Sequence, residues 1–94
     1  MLVATCVIKL ELSGVTSLKE KRSIVKSITK RLSQKFNVAV AEIDAHDFHQ
    51  TAVIGMATIG TDAGYCHGVL EKAVTWIEQT RPDIPIYDYE IELI

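Results

Sequence analysis

Cysteine is scarce in this 94-residue chain, and the two present form no motif. Cys6 and Cys66 stand alone, with no C-x-x-C pair to indicate redox or zinc chemistry. Both read as buried, reduced thiols of a cytosolic protein, and a bridge between them stays sterically conceivable. Long apolar runs are also missing. No stretch approaches the roughly 20 residues that a membrane-spanning helix needs, so no membrane partner is expected. The opening M-L-V-A-T-C-V-I-K-L lacks the basic leader and cleavage site of a secretory signal, which makes the cytoplasm the expected location. Neither G-x-x-x-x-G-K-[ST] nor G-x-G-x-x-G occurs, so Gly55, Gly60, Gly64 and Gly68 form no nucleotide loop. Repeats, linkers and low-complexity tracts are absent too, and residues 1–94 read as a single domain.

What is present is 48% hydrophobic residues, enough for a real core, arranged with clear periods. Residues 2–12 alternate, with Leu2, Ala4, Cys6, Ile8, Leu10 and Leu12 on one side and Val3, Thr5, Val7, Lys9 and Glu11 on the other. Period two over that length is a half-buried strand. Ser17-Leu18-Lys19-Glu20 is a capping box. Leu18, Val25, Ile28, Leu32 and Phe36 then follow at helical spacing, with Ile24 at the margin, over about five turns. V-A-V-A-E-I-D and T-A-V-I-G-M-A-T-I-G are β-rich and flank the polar turn A-H-D-F-H-Q. Thr61-Asp62 supplies an N-cap for a second helix whose apolar face is Cys66, Leu70, Ala73, Val74 and Ile77, and Arg81-Pro82-Asp83 ends it. The last segment alternates Tyr87, Tyr89, Ile91 and Leu93 against Asp88, Glu90 and Glu92, an edge strand guarded by acids and Pro85. The order β-α-β-β-α-β predicts an α+β, ferredoxin-like two-layer sandwich: a four-stranded antiparallel sheet with two helices on one face.

Charge is unevenly placed. The formal net charge is −2, yet residues 16–36 hold Lys19, Lys21, Arg22, Lys26, Lys30, Arg31 and Lys35 against Glu20 alone. Strand directions place Ser17–Arg22, the Asp44–Gln50 turn and the chain near Asp83 at one end of the sheet. Cations are favoured in the last turn of a helix and disfavoured in the first, by about 0.3–1 kcal/mol each when exposed. That accounts for Lys30, Arg31 and Lys35 but leaves Lys19, Lys21 and Arg22 to be explained. Two readings stand: ion pairs with Asp44, Asp47 and Asp83, or a site for an external anion such as an RNA phosphate. Lys21 falls inside the apolar arc, roughly 300° round the wheel from Leu18, and so calls for a specific partner. Lys19, Arg22, Lys26 and Lys30 form a stripe within about 80° of arc that could track a phosphate backbone.

Other sites carry less. Asp44, His46, Asp47 and His49 share one turn, but no zinc-type spacing supports a metal there, and turns collect such residues for backbone reasons. The first and third strands have no aromatic residue, so stacking of RNA on the sheet face is not expected. Tyr65, Val69 and Trp76 occupy a flank of the second helix. The uncovered sheet face, with Val3, Thr5 and Val7, is a candidate surface for self-association.

The runs M-L-V-A-T-C-V-I-K-L-E-L, S-L-K-E-K-R-S-I-V-K-S, F-N-V-A-V-A-E-I-D and D-F-H-Q-T-A-V-I-G resemble the YlxP-like family, short bacterial proteins of unknown function. The resemblance spans almost the whole chain and is most specific at Leu18, Lys19, Lys21, Arg22, Asp47 and Gln50. It implies a ferredoxin-like fold and, because members are often encoded beside translation and ribosome-maturation factors, a role near RNA or the ribosome. His49 stands where the family often has tryptophan. No catalytic residues are implied. The sequence therefore predicts a non-enzymatic accessory module without metal or cofactor. Lys19, Lys21, Arg22, Lys26 and Lys30 are its candidate RNA-binding residues, with Asp44, Asp47 and Gln50 as a polar cluster at the same end. A homodimeric interaction module with internal salt bridges is the alternative, and DNA is not expected as a partner.

Overall fold

The computed structural model describes residues 1–94 and has six elements: β1 (Leu2–Glu11), α1 (Leu18–Lys35), β2 (Ala39–Asp44), β3 (Thr51–Gly60), α2 (Ala63–Thr80) and β4 (Ile86–Leu93). All strand pairs are antiparallel, in the spatial order β2-β3-β1-β4. The fold is the ferredoxin-like α+β sandwich. β1 and β3 are the two central strands, each paired on both sides. The even-numbered residues Ala4, Cys6, Ile8 and Leu10 of β1 are buried, and its odd-numbered ones face away from the helices.

The Ser17 half of the capping box forms. Ser17 is extended at the N-cap, and its side chain accepts a hydrogen bond from the Glu20 amide at 3.1 Å. Such a cap is worth about 1 kcal/mol over alanine. Asp62 does the same for α2, accepting from the Tyr65 amide at 2.8 Å. The helix α1 packs on β2, while α2 packs on β1 and β3 and reaches β4. The α2 residues expected to face the core, Cys66, Leu70, Ala73, Val74 and Ile77, are its buried row. On α1 the buried row is Val25, Ile28 and Leu32, joined by Lys21. Phe36 and Trp76 meet edge to face, 6.5 Å between centroids, and join the two helices; the Arg31 guanidinium lies over the same indole at 5.0 Å. Cys6 and Cys66 are both buried and free.

Two strands depart from the simple alternation, β2 with a register shift between Glu42 and Asp44 and β4 with one opposite Lys9 and Leu10. β4 pairs with β1 through Leu93, Ile91 and Tyr89 on the helix side, but the register shifts between Lys9 and Leu10 so that Ile86, not Tyr87, returns to face Leu10. Tyr87 is the extra residue of this bulge and stands exposed, outside the apolar row assigned to it from the sequence. Asp88, Glu90 and Glu92 pair with Lys9, Val7 and Thr5 and so share the uncovered face.

Candidate nucleic-acid interface

The expected convergence at one end of the sheet is present. The Leu12 amide bonds to Gln50 O and the Glu11 amide to Pro85 O, each at 2.9 Å, so the ends of β1, the β2–β3 turn and the start of β4 are laced together. Lys21 completes the lacing. It is 0% exposed, and its Nζ donates to the carbonyls of Ala45 (2.5 Å) and Phe48 (2.6 Å). The same nitrogen lies 2.9 Å from Glu42 Oε2. That carboxylate oxygen is fully buried and lies off the hydrogen-bonding direction, so its attraction to Lys21 is coulombic. The ammonium is thus shared among one carboxylate and two backbone carbonyls, the compensation a buried charge requires.

Lys21 accordingly has the specific partner its position demanded, but not one of those named from the sequence. Asp44 and Asp47 do not pair with it; Asp44 Oδ1 accepts from the Ala45 amide at 2.8 Å. Asp83 is taken by Arg81, with contacts of 3.0 and 2.9 Å, which hold its carboxyl below the usual range. The partner is Glu42. It pairs with Ile54 in the β2–β3 register and so projects to the helix side of the sheet, as Lys21 does from the helix. A charge in the apolar row of β2 opposite a charge in the apolar arc of α1 was a signal available in the sequence. Lys21 is closed off from solvent and drops out of the external anion-binding set.

The other four candidates lie elsewhere. Lys19, Arg22, Lys26 and Lys30 are all exposed on α1. The chain's lysine and arginine ion pairs are Lys21–Glu42 and Arg81–Asp83, and neither involves these four. Their positive charges therefore face water with no carboxylate oxygen within 4.0 Å. Gln50 is exposed, and its carbonyl is spent on Leu12. Within the turn, Ala45 has φ 59°, a left-handed conformation that costs a non-glycine residue about 1–2 kcal/mol. Phe48 extends from it 68% exposed. His46 Nε2 lies 3.2 Å from the Glu42 carbonyl. No group of three or more His, Cys, Asp or Glu side chains is arranged to hold a metal ion.

On the uncovered sheet face, a hollow of about 470 Å³ runs between β1 and β2, over Thr5, Val7, Ala39, Ala41, Gly55 and Ala57, with Ile43 beside it. Gly55 leaves the room that Ile43 uses: a Cβ there would stand 3.0 Å from the Ile43 Cγ2 methyl.

Residues 3–91 match the model of a family described as protein of unknown function, DUF503. The chain belongs to that family. It is 34% identical over 62 residues to the uncharacterized protein YlxP of Bacillus subtilis (strain 168), covering 66% of this chain and 67% of that protein. Among solved structures, the crystal structure of a putative chlorite dismutase, TA0507, superposes with a TM-score of 0.59 at 10% identity. That likeness takes in 99% of this chain but 44% of the other, and it speaks for the fold alone. No helix is long and apolar enough to cross a membrane.

Proposed function

We propose that this DUF503 protein is a non-catalytic accessory module that binds structured RNA or a ribosomal particle through the exposed face of α1. The observation that supports this is the stripe Lys19, Arg22, Lys26 and Lys30, exposed and without an ion-pair partner. Like charges spaced along a helix repel one another and weaken it by a few tenths of a kcal/mol per pair. A phosphate backbone relieves that repulsion and releases its counterions, giving affinity that falls steeply with salt. The test is binding of ribosomal RNA fragments at several salt concentrations. The Lys19→Glu/Arg22→Glu/Lys26→Glu variant is expected to lose most of the affinity and to flatten the salt dependence. Unchanged affinity in that variant overturns the reading.

A second reading, self-association through the uncovered sheet face, is favoured by the apolar hollow beside Ile43. The exposed isoleucine is a projection and the alanine floor a recess, and one surface that carries both suits a two-fold contact. Light scattering over a concentration series tests it: a dimer that Ile43→Asp converts to monomer supports the reading, and a monomeric wild type removes it.

A further inference from the structure

The turn between β2 and β3 is an expensive way to reverse the chain. A two-residue Asn-Gly hairpin would do so without strain. Here Ala45 is held at φ 59°, and a lysine is buried to fix the carbonyls of Ala45 and Phe48. The result is a rigidly held backbone from which the Phe48 ring projects into solvent, 68% exposed. Strain kept in place by surrounding structure marks functional segments more often than neutral ones.

A second irregularity acts on the same end. The β4 bulge turns Tyr87 outward, 58% exposed. Two shallow hollows lie there. One, of about 330 Å³, is lined by Asp47, Phe48, His49, Gln50 and Thr51. The other, of about 450 Å³, is lined by Glu11, Ser13, Gln50, Thr51 and Tyr87. They share Gln50 and Thr51, so Phe48 and Tyr87 stand on either side of one polar floor.

We propose that this end of the molecule is a stacking site for unpaired nucleobases, with Phe48 and Tyr87 as the platforms. The inference rests on the RNA reading above and narrows it to RNA that offers unstacked nucleotides beside the segment held by α1. Aromatic rings accept any base on their faces, and the side chains of Ser13, Gln50 and Thr51 supply donors and acceptors for base edges. Glu11 and Asp47 keep phosphates off this floor, so the backbone runs along the cationic side, beginning at Lys19 and Arg22. Lys21 joins the two parts, since it ties the first turns of α1 to the carbonyl of Phe48 itself.

The test is fluorescence anisotropy with two probes, a labelled oligouridine strand of about ten nucleotides and, as the duplex, a labelled GC-rich RNA hairpin whose stem stays paired at assay concentrations. Phe48→Ala, which removes an exposed ring and leaves the melting curve unchanged, is expected to weaken the single strand about 5- to 100-fold. Duplex affinity and the salt slope stay as in the wild type, and Phe48→Trp restores single-strand binding. Equal single-strand affinity in wild type and Phe48→Ala, or an equal loss on both probes, overturns the stacking site. If Lys19→Glu/Arg22→Glu/Lys26→Glu meanwhile abolishes binding of both probes, the RNA reading survives without it. Failure of the wild type to bind either probe overturns both.

Discussion

Lys21 occupies a helical position that the apolar period assigns to the core, and the fold keeps it there by surrounding its ammonium with oxygen. Replacing it by methionine preserves length and removes the charge, leaving the buried Glu42 carboxylate without a counter-charge and the Phe48 carbonyl without its donor, while the Ala45 carbonyl keeps only the Phe48 amide at 3.1 Å. Lys21→Met is expected to lose about 3–5 kcal/mol of stability, read from urea denaturation. Glu42→Gln, which keeps an acceptor oxygen, should lose less. That Lys21 needed a partner was legible in the helical wheel; its identity required the register of β2, which decides that Glu42 and not Asp44 turns toward the helices. Cys6 offers a second residue-scale expectation. Burial, and then the negative charge of Glu71, push its thiol up to about 11 from an ordinary 9.0. The folded chain then keeps a proton that the unfolded chain has lost, so the stabilisation is complete below about pH 9 and disappears toward about pH 11. Wild-type stability should fall across that window by about 2–3 kcal/mol more than that of Cys6→Ala, at roughly 1.4 kcal/mol per pH unit.

At the scale of elements, both helices declared themselves in the sequence through their caps and apolar rows, but on α1 the expected row is shortened: Leu18 and Phe36 are only half-buried, Phe36 caps the helix, and Lys21 takes a core position. The apolar face of α2 is buried residue for residue as its spacing predicts. Strands were less legible. Alternation in β4 counted Tyr87 among the inward residues, and only pairing against β1 shows that the bulge expels it. The glycines of the third strand and second helix also divide once neighbours are known. A Cβ at Gly60 would press against Cys66 Sγ and the Tyr65 ring at 3.0 Å, whereas a Cβ at Gly68 meets nothing within 4 Å. Gly68 is therefore a weak point of α2 with no packing reason. Gly68→Ala is expected to stabilise the protein by about 0.5–1 kcal/mol. In thermal melts that is a rise of roughly 2–8 °C.

For the whole molecule, the net charge of −2 conceals a separation of sign. The cationic face of α1 lies on the β2 side of the sandwich, and Asp88, Glu90 and Glu92 line the uncovered face of β4 at the opposite edge. A polyanion approaching such a body is turned toward one side and away from the other. Neutralising the acidic row as Asp88→Asn/Glu90→Gln/Glu92→Gln should raise the RNA association rate by about threefold or more at low salt and leave it unchanged at high salt. Stopped-flow measurements check this. The order and type of the elements were legible because each carried its own signal. The presentation of Phe48 and Tyr87 was not, because it depends on contacts between segments distant in the chain. The bonds from Lys21 to Ala45 and Phe48 span 24 and 27 positions. The turn therefore cannot take its native shape until α1 has formed and docked, which makes the loop that displays Phe48 among the last parts to set during folding and the first to open when the helix lifts away.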